Sequence, residues 1–295
     1  MDLTKKRWQW ALLLLLSIIW GSSFILMKKG LEVFNNNQVA AFRIFISFLV
    51  LFPLIMPRLG RIKKHHIKSL LIVGIIGNFL PAFLFTKAQT QIDSSIAGIL
   101  NSLVPLFALL IGLLFYRSHV LLINILGILL GLAGAIGLIY DGSQDLFHQA
   151  NLYGLFVVIA TVCYGVSINE IKYKLADLDG VTIASAAFFI IGPFAFIVLV
   201  FSNLPAAFSH PQAWQSLGYI ALLAIMSSAI AVVLFNILIK YTTAIFAASV
   251  TYIIPIFAIF WGLFDGEKIS VQQLLWMSVI LIGVYLVNKK HFIHI

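Results

Sequence analysis

Residues 84–117 read LFTKAQTQIDSSIAGILNSLVPLFALLIGLLFYR, and residues 234–267 read LFNILIKYTTAIFAASVTYIIPIFAIFWGLFDGE; they overlie without gaps at an offset of 150 positions. Leu84, Phe85, Ala97, Pro105, Phe107, Ala108, Gly112 and Leu113 meet identical residues at Leu234, Phe235, Ala247, Pro255, Phe257, Ala258, Gly262 and Leu263. In so apolar a chain, matches of Leu, Phe and Ala carry little information. A mid-span proline followed seven residues later by a glycine, in register in both copies, carries more. A weaker match joins WGSSFILMK from Trp20 to YGVSINEIK from Tyr164, pairing Gly21 with Gly165, Ser23 with Ser167 and Lys28 with Lys172. The second half of the chain repeats the first.

Composition says where the repeats reside. The 295 residues are 62% hydrophobic and 10% charged, with a mean hydropathy of +1.07, whereas a soluble domain carries roughly a quarter charged residues. Each bilayer crossing takes about 20 mainly apolar residues. The apolar runs and their punctuation place spans at 8–28, 38–56, 68–86, 93–115, 120–140, 152–172, 181–201, 214–238, 243–264 and 270–288. The intervening breaks are too short to hold a further domain. Continuous runs, rather than alternating ten-residue segments, favour helices over a barrel. The first run follows Lys5, Lys6 and Arg7, yet it is longer than a signal-peptide core and lacks a small-residue cleavage site, so it is expected to stay as a span. The single cysteine, Cys163, excludes an internal disulfide framework and a thiolate metal cluster.

Charge placement gives the orientation. With the N-terminus inside, Lys5, Lys6, Arg7, Arg58, Arg61, Lys63, Lys64, Lys68, Arg117, Lys172, Lys174, Lys240, Lys289 and Lys290 face inward, against Lys28, Lys29, Lys87 and Lys268 outward, 14 to 4. The net charge of +9 thus reflects membrane orientation rather than a nucleic-acid surface. Five spans per half is an odd number, so the halves enter the membrane from opposite sides. The loop after span 2 carries five of these cations, and its counterpart after span 7 carries none, as inversion requires. The expected fold is an all-α integral membrane protein of ten transmembrane helices, in two inverted five-helix repeats at 1–145 and 146–295, both termini cytoplasmic. Inverted repeats can exchange conformations and open a central site alternately to either side.

Several stretches resemble the EamA-like carriers of the drug/metabolite transporter superfamily. WGSSFILMK (Trp20 to Lys28) is similar to the family's first helix, AAFRIFISFL (Ala40 to Leu49) to its arginine-bearing second helix, and ASVTYIIPIFAIFWGLFDGEKISVQQLLWMSVILIGVYLV (Ala248 to Val287) to its last two. The first half departs from the pattern, with Phe115-Tyr116-Arg117 where a glycine–glutamate pair like Gly266-Glu267 would stand. The resemblance implies two tandem five-helix domains and a multi-pass carrier of the cell membrane that exports amino acids or related metabolites. Span 1 lacks the acid that small multidrug exchangers of the superfamily use, which argues against proton-coupled export of lipophilic cations.

Polar residues within hydrocarbon are costly, so those present are candidates for a substrate cavity. Arg43 either snorkels to the outer surface or brings positive charge to a vestibule. Trp20, Ser22 and Ser23 beside Gly21, with Tyr164 and Ser167 in the matching span, suit either a ligand or close helix packing. Asn78, near Pro81, marks a possible kink. Asn101 and Ser102 precede Pro105 as Thr251 and Tyr252 precede Pro255, where proline frees a carbonyl that a neighbouring polar group or a ligand can meet. Asn236 and Trp261 complete the set. Glu170, beside Asn169, is either the partner of Lys172 and Lys174 in a local ion pair, part of a solvated helix end, or a site for a coupling proton or cation. Gly127, Gly131, Gly134 and Gly137 read as a packing stripe within the chain or between two copies, leaving monomer and homodimer open.

No phosphate loop, zinc spacing, nucleophile elbow or dinucleotide motif occurs, so no cofactor or metal is expected. The expected partners are a small-molecule substrate and membrane lipids. Two alternatives remain: a polytopic membrane enzyme or lipid-processing protein, and a channel. The acids near the interfaces, Asp93, Asp141, Asp145, Asp177, Asp179, Asp265 and Glu267, form no recognisable catalytic spacing, and no polar stripe or ring of charge marks a pore.

Overall fold

The computed structural model describes residues 3–116, 121–140 and 149–288. Arg117, Asp141, Asp145, Lys289, Lys290, His291 and His294, and the expected repeat boundary at 145/146, lie outside the described residues. All regular structure among the described residues is helical: α1 (Lys6–Leu31), α2 (Asn36–Arg61), α3 (Lys64–Ala88), α4 (Ser94–Tyr116), α5 (Leu122–Tyr140), α6 (Gln149–Lys174), α7 (Gly180–Val200), α8 (Ala213–Tyr241), α9 (Phe246–Phe264) and α10 (Val271–Asn288), with a one-turn helix at Leu204–Phe208. Of these, 8 are long and apolar enough to cross a bilayer, while α5 and α10 carry shorter apolar helices at Leu122–Leu138 and Val271–Leu286. Large apolar side chains stay exposed on the outside of the bundle, Phe201 at 86% and Phe115 at 75% among them, as a hydrocarbon solvent permits and water would not.

The helices begin where the sequence supplies caps. Asn35 and Gln38 cap α2 reciprocally, each accepting at 3.0 Å from the other's backbone amide. Asp179 caps α7, its Oδ1 accepting from the Thr182 amide at 2.9 Å. Gly266, with φ of +83°, turns the chain out of α9 in a left-handed conformation that suits glycine.

Besides α2, which ends in 3-10 geometry at Met56–Arg61, four helices are interrupted within their length, three of them near the kink expected at Pro81 and before Pro105 and Pro255. α3 widens into a π turn at Ile75–Phe79 and α8 does so at Leu223–Ile230. α4 tightens into a 3-10 turn at Asn101–Leu103 and α9 at Ser249–Tyr252. Pro105 brings no amide to the Asn101 carbonyl, and the Val104 amide takes it instead, which draws the turn tight.

Helices pack across the halves. α2 lies along α7 and α5 along α10; α1 packs on α8 and α9, while α6 packs on α3 and α4. Small residues permit the contacts. Gly21 of α1 sits against Phe257 of α9, as Gly165 of α6 sits against the backbone of Phe107 in α4, where a Cβ would come within 2.8 Å. The α5 glycines face α10 of the same chain: a Cβ on Gly134 would lie 2.8 Å from the Ile280 amide, and one on Gly283 would lie 2.7 Å from the Gly127 carbonyl. Of the two readings of this stripe, the structure shows the packing within the chain.

Gly134→Leu should therefore force α5 and α10 apart, since the obstruction is backbone and cannot swing aside. A loss of about 1–3 kcal/mol is expected, read as a lower Tm of the detergent-purified protein. Gly218→Ala, where a Cβ meets nothing within 4 Å, should leave Tm unchanged or raise it.

Candidate functional site

The irregular turns of α3, α4, α8 and α9 gather around one cavity at the middle of the bundle, enclosing about 970 Å³ of space not filled by atoms, its mouth included. Trp20 and Ser23 of α1, Arg43 of α2, Asn78 of α3 and Asn101 of α4 line it, facing Tyr164 and Ser167 of α6 and Thr251 of α9. Most of the candidates scattered through the sequence thus meet at one place.

Local bonds decide what each can still offer. The Trp20 indole Nε1 donates to the Ser227 carbonyl at 2.9 Å, so its ring face remains for the cavity, and the ring stands edge-on to Phe235 at 4.9 Å. Ser23 Oγ donates to the Trp20 carbonyl at 2.6 Å, Asn78 Nδ2 to the Val73 carbonyl at 2.8 Å, and Thr251 Oγ1 to the Ala248 carbonyl at 2.9 Å. Tyr164 stacks on Phe85 with centroids 6.0 Å apart. Gly77 lets α3 approach so closely that a Cβ there would collide with Ser167 Oγ. Arg43 Nε donates to Ser228 Oγ at 2.6 Å, and among the described residues no carboxylate pairs with it.

Ser22, Ser102, Asn169, Glu170, Tyr252 and Trp261 are not among the lining residues. The Tyr252 hydroxyl donates to the Val284 carbonyl at 2.9 Å, tying α9 to α10. Trp261 is 39% exposed on the outer face, its Nε1 donating to Ser22 Oγ at 2.8 Å. Glu170 accepts from the Tyr116 hydroxyl at 2.6 Å rather than pairing with Lys172, which donates to the Ile239 and Thr242 carbonyls. The local ion pair expected there gives way to a longer-range bond between α6 and α4. Conversely, Ser227, Ser228 and the ring of Phe188 line the cavity unforeseen. The adjacent serines are the polar interruption in span 8 that could have flagged them.

Both ends of the cavity are bridged between the halves. At one end Glu267, 8% exposed, accepts from Ser94 N at 2.9 Å, Ser94 Oγ at 2.6 Å and Ser95 N at 3.0 Å, placing a carboxylate on the N-terminus of α4. Lys28 reaches both Glu267 at 2.9 Å and Asp265 at 3.0 Å, and Lys29 reaches Asp265 at 2.6 Å. Burial pushes the Glu267 carboxyl up, but the Ser94 and Ser95 donors and the Lys28 ammonium more than offset it and hold it below the ordinary range. Asp265 is held low in the same way, burial being outweighed by Lys29 and Lys28.

At the other end Arg61 pairs with Asp179 at 3.0 Å and His66 Nε2 with Asp177 at 2.8 Å. The His66 bond holds the Asp177 carboxyl low. His65, His66 and Asp177 bring potential metal-ligand atoms within 4.8 Å of one another. His66 Nδ1, however, accepts from the Lys63 amide at 3.0 Å, so the neutral ring carries its proton on Nε2, toward Asp177. One ring nitrogen is thus committed to the N-cap of α3 and the other to Asp177.

A model of the EamA-like transporter family matches residues 8–140 and again 151–289. An uncharacterized transporter of Archaeoglobus fulgidus is 23% identical over 291 residues, covering 96% of this chain and 99% of its own. The uncharacterized inner membrane transporter YedA of Escherichia coli is 27% identical over 293 residues, covering 94% and 90%. A protein of Chlamydia trachomatis named an S-adenosylmethionine/S-adenosylhomocysteine transporter is 25% identical over 293 residues, covering 95% and 89%. One solved crystal structure shares the fold with a TM-score of 0.69 at 15% identity, covering 96% of this chain and 97% of the other.

Carboxylates held below their ordinary values contribute stability that is fully present above the unfolded pKa values, about 3.9 for Asp and 4.3 for Glu, and is lost as pH falls through the folded values. Tm of the purified protein should therefore decline below about pH 4. Glu267→Gln should lower Tm at pH 7 by the equivalent of about 1–3 kcal/mol and flatten part of that decline; unchanged melting would show that the Lys28–Glu267 contact contributes nothing.

Proposed function

The chain belongs to the EamA-like transporter family, and from that premise we propose that it moves a small metabolite across the cell membrane by alternating access at the central cavity. It is a multi-pass membrane transporter of that family; the reading concerns how and on what it acts. The observation that carries it is that the cavity is lined from both copies of the repeated sequence, by α1 to α4 of the first and α6 to α9 of the second.

In this reading α5 and α10 also cross the membrane, giving ten helices in two inverted sets of five divided near residue 145, with both termini cytoplasmic. Support comes from the exchanged packing, in which α1 lies on α8 and α9 as α6 lies on α3 and α4. The paired π turns and paired 3-10 turns at matching positions support it too. Two similar halves that exchange conformations would release the contacts at one end of the cavity while keeping those at the other. The bonds of Lys28 to Glu267 and Arg61 to Asp179 are the contacts such a motion must break in turn.

The substrate class is an amino acid or an amino-acid derivative, with export as the direction. Trp20, Ser23, Arg43, Asn78, Asn101, Tyr164, Ser167 and Thr251 are the residues assigned to hold it. Purified protein in proteoliposomes should show counterflow of at least one labelled member of a panel of amino acids and their derivatives. Trp20→Ala and Arg43→Ala should each lower the rate at least tenfold while lowering folded yield far less. Absence of counterflow by folded protein across the panel would defeat the reading, and equal losses of rate and yield would assign these side chains to packing.

A further inference from the structure

The charge that the described lining residues bring to the cavity is positive. Arg43 is the one charged side chain among its described lining residues. Its Nε is taken by Ser228 Oγ at 2.6 Å, while its terminal Nη1 and Nη2 have no hydrogen-bond partner among the described residues. Asn236, which also lines the cavity and is 1% exposed, leaves its side-chain Nδ2 without a hydrogen-bond partner. A buried amide donor is costly to leave unpaired, and a guanidinium away from water is more so. The rest of the wall is largely apolar, with Trp20, Phe24, Phe85, Phe188 and Phe235 around it.

We propose that the substrate presents a carboxylate to Arg43 and Asn236, carries no net positive charge, and has an apolar body that fills the aromatic wall. This rests on the transport reading and adds the charge of the substrate to it. The two oxygens of a carboxylate match the free end of the guanidinium fork, and the pair supplies the counter-charge that the protein itself does not. A cationic ligand would instead set like charge against Arg43, with no carboxylate among the described lining residues to relieve it. An ammonium group on the ligand is not required, because the described lining residues hold no carboxylate to pair with it.

The test compares ligands of matched body and different charge: 3-phenylpropanoate, 3-phenylpropanol and phenylalanine methyl ester, and likewise 4-methylpentanoate, 4-methylpentanol and leucine methyl ester. Binding is read as the rise in Tm of the full-length protein in detergent with ligand concentration. In at least one series the acid should bind about tenfold to a hundredfold more tightly than the alcohol, and more tightly still than the ester. Arg43→Gln should erase the preference for acid over alcohol, and Arg43→Lys should keep part of it. Asn236→Leu provides the same readout should Arg43→Gln not fold, weakening the acid and sparing the alcohol. Alcohol or ester binding as tight as the acid, or no stabilisation by either acid at 10 mM, a concentration on the order of ten times a 1 mM dissociation constant, overturns the proposal. Counterflow of another substrate in proteoliposomes would then show that transport stands although the charge assignment has failed.

Discussion

A peptide group inside hydrocarbon has no water to turn to, so every carbonyl that a helix fails to satisfy must be met by another part of the protein. The architecture around the cavity follows from that demand. The π turn of α8 leaves carbonyls that side chains from other helices collect: Trp20 Nε1 reaches Ser227 at 2.9 Å and Ser47 Oγ reaches Ala224 at 3.0 Å. The π turn of α3 is repaired from within, by Asn78 on Val73. The 3-10 turns of α4 and α9 stand one turn before their prolines. Irregular backbone therefore occurs where helices from both halves converge, and its repair consumes much of the polar capacity of the very residues that line the cavity. The end of the Arg43 guanidinium and the Nδ2 of Asn236 stay unspent among the described residues.

The two ends of the cavity are held by different physics. At the Lys28 end a carboxylate with a side chain 1% exposed is met by a helix N-terminus, a hydroxyl and an ammonium. Each donor there compensates a desolvation already incurred, so removing one leaves a buried charge short of partners. At the Arg61 end the pair with Asp179 is largely exposed, at 62% and 41%, and a pair so placed contributes about 0–1 kcal/mol. Within an alternating-access cycle the Arg61 end would part more readily. The Lys28 end would await a compensating gain elsewhere, such as substrate bound at Arg43.

Much of this was legible in the sequence because it rests on patterns of composition and period. Apolar runs of spanning length mark the helices within a few residues, since hydrocarbon admits little else. Pro105 and Pro255, and Gly21 and Gly165, mark the places where helices tighten or touch, because proline and glycine act through the backbone. The scattered polar residues were recognisable as exceptions in an apolar background, and most of them meet in one cavity. Trp261 and Tyr252 do not, because helical phase decides which way a side chain faces, and in a helix apolar on every side the sequence carries no phase. Glu170 was placed beside its sequence neighbours Lys172 and Lys174, whereas its partner, Tyr116, arrives from α4.

What the sequence by itself determined is that this chain crosses the membrane as helices, that its halves are related, and that a few polar residues within the spans need a reason to be there. These are consequences of transfer energies, which act residue by residue. Only the tertiary structure decided which donors are spent on carbonyls and which remain, that Glu267 seals α1 to α4, and that the glycines of α5 are filled by α10. Those outcomes depend on distances between residues as much as 239 positions apart, Lys28 and Glu267 among them. No local pattern records such pairs, because the field that a buried charge experiences is set by whatever the fold brings beside it.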